Sequence, residues 1–106
     1  MANTTTQHGN FIEITPDGAT DWSAMGDIGH KLKLSAIQFN PSAANDVLII
    51  RENGIDSAAI FNATAVGSAQ VLARDYTHPK WCNPTIDASD CTFGTAGNVR
   101  ILLEIE

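Results

Sequence analysis

Cys82 and Cys91 are the two thiols of this chain, and His78 stands four residues before the first of them in the run His78-Pro79-Lys80-Trp81-Cys82. Thiolate and imidazole suit zinc, so a tight loop could gather the three, with His8, His30 or a carboxylate as fourth ligand. The spacing lacks the paired Cys-x-x-Cys of structural zinc motifs, and no metal or cofactor is expected. The competing reading has His78 solvated and both thiols reduced, packing as small hydrophobes. A cysteine nucleophile would use Cys82 or Cys91 with His78 or His30 as base, yet neither a nucleophile elbow nor a protease cysteine motif surrounds either thiol. Asp87-Ala88-Ser89-Asp90 sets two carboxylates three apart, a pattern of turn chemistry in which the acids accept from nearby backbone N–H groups. Asp17, Asp21 and Asp27 have no calcium-loop spacing. The chain reads as a protein that is not an enzyme.

Binding chemistry is better served. Trp22, Tyr76 and Trp81 fall in weakly patterned segments rather than in the strong strands, and aromatic side chains beside polar ones anchor protein interfaces and sugar-binding faces. Trp81, next to His78 and Lys80, is the foremost contact candidate. Tyr76, His78 and Trp22 complete the set of partner-binding candidates, with burial in the core as the competing reading for each aromatic residue.

Composition narrows the partners. Twelve acidic against six basic residues give a formal net charge of −6, and the cations Lys31, Lys33, Arg51, Arg74, Lys80 and Arg100 are spread along the chain. Such a surface repels phosphate backbones and anionic lipid, which argues against nucleic acid and membrane partners. No apolar run reaches the roughly 18 residues of a membrane span, and the first residues lack the basic and apolar parts of a signal peptide, so the chain is expected to be made in a cytoplasm. Two cysteines are too few for a disulfide framework. At 106 residues, with 43% hydrophobic side chains, one domain with one core is expected.

The elements that must position these residues are short strands. Residues 1–10 are small and polar without periodicity and read as a flexible N-terminal arm, leaving 11–106 as the domain. Phe11 to Ile14 is a strand candidate closed by a turn at Thr15-Pro16-Asp17-Gly18, and Ala19 to Met25 could return it. Leu32, Leu34 and Ala36 share one face, with Lys31, Lys33 and Ser35 on the other, until Ile37 and Phe39 shift the parity, as a β-bulge or a strand passing between sheets would require. Val47 to Ile50 is the most apolar strand and reads as central. Asn53-Gly54 predicts a two-residue hairpin returning over Ile55 to Asn62. Gln70 to Arg74 is a further candidate, Asp75 to Gly97 reads as a long loop hiding one or two short strands with Trp81 to Ile86 foremost, and Asn98 to Glu106 alternates most cleanly. No sustained apolar stripe of helical length interrupts the six to eight short strands, although the alanines between 57 and 73 also permit helix. The predicted fold is an all-β antiparallel sandwich of jelly-roll type.

Gly29-His30-Lys31-Leu32-Lys33-Leu34-Ser35-Ala36-Ile37-Gln38-Phe39, its continuation from Pro41 to Arg51, and Ala88-Ser89-Asp90-Cys91-Thr92-Phe93-Gly94 resemble small structural proteins of tailed bacteriophages. The resemblance covers about half of the chain and brings no binding residue with it. It implies a virion component, made in the host cytoplasm: a capsid decoration or cement protein, or a small tail or adaptor subunit. Its partners would be other virion proteins, major capsid or tail subunits, and it would form a trimer or dimer in which the arm and the loop from Asp75 to Gly97 order against neighbours. The alternative is a carbohydrate-binding module with Trp22, Tyr76 and Trp81 as a stacking platform.

Overall fold

The computed structural model describes residues 3–17, 21–67 and 70–106. Two antiparallel sheets face each other across one hydrophobic core. Five strands form the larger sheet in the order β1 (Thr4–His8), β2 (Phe11–Thr15), β9 (Arg100–Ile105), β4 (Leu32–Asn40) and β7 (Leu72–Cys82). Four form the smaller in the order β3 (Trp22–Ser23), β8 (Thr85–Ile86), β5 (Val47–Arg51) and β6 (Ala59–Thr64). Among the described residues helix is confined to single turns, α1 (Ala24–Asp27) and 3₁₀ turns at Ala88–Asp90 and Ala96–Asn98. The all-β sandwich read from the sequence is the architecture, with nine strands among the described residues where six to eight were expected.

Alternation decides which side chains fill the core. Ile12 and Ile14 of β2, Ile101 and Leu103 of β9, and Leu32, Leu34, Ile37 and Phe39 of β4 point inward from the larger sheet, and all are at least 98% buried. Leu48 and Ile50 of β5, Phe61 of β6, Ile86 of β8 and Trp22 meet them from the smaller sheet. The parity change in β4 is a bulge at Ser35: the register shifts between Leu34 and Ala36 against β9, and the Ser35 hydroxyl donates to the Glu104 carbonyl at 3.1 Å. That extra residue lets one strand send Leu34 and Ile37 to the same face, while the strand stays within one sheet.

Four expectations are corrected. Thr4–His8, read as part of a flexible arm, is a strand paired with β2 over all five residues. Its hairpin closes through Gly9-Asn10, with Gly9 at φ 60, the geometry of a two-residue turn with glycine first. Asn53-Gly54 does not make the two-residue hairpin. The Asn53 N–H donates to the Ser57 hydroxyl at 2.8 Å and Asn53 bridges Asn83, so the connection widens and β6 begins at Ala59. Asp75 to Lys80, read as loop between the strand candidates at Gln70 to Arg74 and Trp81 to Ile86, continues β7 to eleven residues, and the second candidate is divided between the end of β7 and β8. Finally, β5 lies inside the smaller sheet but is covered on one face, with Val47, Ile49 and Arg51 half-exposed on the other. The expected turn at Gly18 and the start of the return strand at Ala19 and Thr20 lie outside the described residues.

Candidate functional site

Trp81 is 68% exposed, a large apolar side chain held on a strand rather than a loop. Its place follows from register: Cys82 pairs with buried Leu32 and points inward, so Trp81, paired with Lys33, points outward. Around it His30, Lys31, Leu32, Lys33, Ile105 and Glu106 line a shallow concavity of about 160 Å³. Lys33 Nζ lies 3.6 Å from a Glu106 carboxylate oxygen, an exposed pair of small energetic weight. His30 Nδ1 lies 2.8 Å from the Lys31 carbonyl, which fixes its ring beside the strand entry. In a chain of net charge −6, three cationic or imidazole side chains with one carboxylate beside an exposed indole make a local reversal of sign.

The neighbours differ from those expected. Lys80 pairs with inward-facing Leu34 and turns to the other sheet, its Nζ 2.8 Å from Glu52 Oε2, which raises its pKa. His78 is exposed but does not line the Trp81 concavity. Tyr76 is half-buried, its hydroxyl donating to the Ile60 carbonyl at 2.8 Å with the Arg74 guanidinium 5.0 Å from its ring centroid. Burial pushes its phenol pKa up. It serves as a tie between the two sheets. Trp22 is 1% exposed in the core, its indole N–H donating to Thr5 Oγ1 at 3.0 Å, so it cannot present a face to a partner. The three aromatics therefore share no platform.

The groups weighed for chemistry are occupied elsewhere. Among the described residues no three His, Cys, Asp or Glu side chains are placed to hold a metal ion, so His78, Cys82 and Cys91 are not brought together. Both thiols are free, and burial pushes the pKa of each up, away from the thiolate a nucleophile needs. Asp87 caps the 3₁₀ turn that follows it: the Ser89 hydroxyl and N–H donate to its carboxylate at 2.8 and 3.0 Å and hold its pKa below the usual range. Asp90 Oδ2 accepts from Arg51 Nε at 2.9 Å.

The sequence reading missed His30, Lys31, Lys33 and Glu106 as neighbours of Trp81. Lys31 and Lys33 were visible as the polar face of β4, but only the pairing of Lys33 with Trp81 puts them beside the indole. No family model matches the chain, and neither a curated protein nor a solved structure matches it at a significant level.

Proposed function

We propose that this domain is a non-enzymatic virion structural protein, a capsid decoration or cement subunit that acts by protein–protein contact, with Trp81 as an anchor. The observation that carries the contact reading is the exposure of Trp81 on a rigid strand with His30, Lys31 and Lys33 around it. An aromatic residue that loses its water against a partner is a usual centre of binding energy, and fixing it on a sheet removes much of the ordering cost. The virion assignment rests on the phage resemblance, and it names major capsid or tail subunits as the partners. A sugar platform would call for several aromatic faces side by side, and the burial of Trp22 and the engagement of Tyr76 leave Trp81 alone.

The test is binding of the purified chain to phage particles stripped of their small accessory proteins, with wild type beside Trp81→Ala. An exposed indole contributes little to folding, so the variant should keep its stability to within about 0.5 kcal/mol. Its affinity for the particle should fall by roughly thirtyfold or more, the loss typical of a central interface tryptophan. Equal binding by the variant would remove Trp81 from the interface. Absence of binding by wild type, together with a signal on a glycan array, would replace the assembly reading with the carbohydrate one.

A further inference from the structure

Four strands lie at sheet edges, and three of them are blunted. β3 is two residues long. In β7 the residues Tyr76, Thr77, His78 and Pro79 stand opposite the single Ser35 of β4, a wide bulge that includes a proline without an N–H. In β6 the register shift leaves Ile60 as an extra residue, and its carbonyl accepts from Arg74 and Tyr76 at 3.2 and 2.8 Å. The fourth edge, β1, has none of these devices. It pairs with β2 over five consecutive residues without a bulge, and Thr4-Thr5-Thr6-Gln7-His8 contains no proline, lysine or carboxylate. Among the described residues, no backbone hydrogen bond outside the hairpin ladder involves Thr4 to His8. A regular strand with a free outer row of N–H and C=O groups is a template for another strand.

We propose that β1 pairs antiparallel with β1 of a second copy of this chain about a two-fold axis through Thr6, joining the two five-stranded sheets into one continuous sheet. The sequence is self-complementary in that register. Thr6 faces Thr6, Thr5 faces Gln7 and Thr4 faces His8, so neutral β-branched residues meet at the centre, a favourable cross-strand pair, and no carboxylates of β1 oppose each other. The register also keeps faces in step: Thr5, which accepts from the core indole of Trp22, meets Gln7 on the inner side, while Thr4, Thr6 and His8 stay on the outer side. A second copy is the occupant because β1 matches itself in this antiparallel register and carries no carboxylate of its own, in a chain whose net charge of −6 otherwise makes copies repel. The sheet's opposite edge carries Trp81, so the pairing leaves the contact site free on both copies. The inference deepens the assembly reading and rests on it for its purpose, though not for its geometry.

The experiment is sedimentation equilibrium of the full chain over a wide concentration range, for wild type, Thr6→Asp and Thr6→Cys, with Val66→Cys as a control at an exposed position away from β1. Wild type should be a dimer whose affinity rises with salt as repulsion between acidic copies is screened. Thr6→Asp places four carboxylates around the axis, counting Glu13 of each copy, and should lose the dimer while keeping the wild-type circular dichroism. Thr6→Cys should form a disulfide dimer under mild oxidation, and Val66→Cys should not. A wild type that is monomeric at every concentration overturns the proposal, as does an oligomer that Thr6→Asp leaves intact. Neither result touches particle binding through Trp81, which the Trp81→Ala comparison reads separately.

Discussion

Asp46 is 1% exposed and ionised, a combination that needs full hydrogen bonding to persist. Its Oδ2 accepts from the Ser42 hydroxyl at 2.6 Å, the Ser42 N–H at 2.7 Å and the Ala43 N–H at 3.1 Å, while Oδ1 accepts from the Gly94 N–H at 2.8 Å. Burial alone would raise its pKa, but these donors together outweigh it and hold the carboxyl below its ordinary value. The carboxylate thus clamps the β4–β5 connection to the segment before β9. Because the folded pKa is depressed, the stabilisation is present above the unfolded value near 3.9 and is lost as pH falls through the folded one. Asp46→Asn turns an amide N–H₂ toward donors and should cost about 2 to 3 kcal/mol in urea unfolding at pH 7. The difference from wild type should shrink as the pH is lowered below about 4; a constant difference would assign the loss to packing instead of charge.

The clamp also constrains its elements. Gly94 packs so closely that a Cβ there would sit 3.0 Å from the Ala43 Cβ and 3.5 Å from Asp46 Oδ1. Gly94→Ala should therefore destabilise by about 1 to 2 kcal/mol, the range for overfilling a packed contact, and Ala43→Gly in the same chain should restore part of it. Additive losses in a thermal-melt double-mutant cycle would show that the two elements do not meet there. At this scale the glycine signals of the sequence divided in an instructive way. Gly9-Asn10 makes a two-residue hairpin although the strand before it is polar, while Asn53-Gly54 between stronger strands does not. A turn dipeptide permits a hairpin; the surrounding bonds choose it. Around Asn53 those bonds come from the Ser57 hydroxyl, which accepts from the Asn53 N–H, and from the distant Asn83 N–H, which donates to the Glu52 carbonyl at 3.0 Å, and only Gly54 takes a positive φ there, at 99°. The middle of β7, Asp75 to Lys80, was hidden for a related reason. An edge strand with one side half-solvated, broken by a bulge containing Pro79, has neither clean alternation nor an apolar run.

The molecule as a whole places its two thiols in one core cluster, Cys82 within it and Cys91 packed against it. Reaction with a thiol reagent then requires opening of the sandwich. Native Cys82, 5% exposed, should react on the order of a hundredfold or more slowly than in the urea-unfolded chain, the protection that an opening free energy of about 3 kcal/mol provides. A chelator should leave that rate unchanged. A rate close to that of the unfolded chain would mean that the corner joining β7 to β8 is not closed in solution. Charge at the same scale is divided unevenly: Arg51 and Lys80 are paired with Asp90 and Glu52, whereas Lys31 has no ion pair among the described residues and stands beside Trp81.

The sequence by itself determined the all-β class, the alternating faces of β9, and a change of parity within β4. Each is written in alternation along one strand, a local record of which side meets the core. It also singled out Trp81 as the foremost contact candidate, with His78 and Lys80 as its neighbours. Tertiary structure alone decided that Trp22 goes in and Trp81 stays out, that Thr4–His8 is a strand, and which cations surround the indole. Those outcomes depend on pairings between residues far apart in the chain: Lys33 with Trp81, Trp22 with Ile86, Thr6 with Glu13. Such pairings are set by how two sheets close on one core, and a one-residue change in register would turn each of these side chains to the other face.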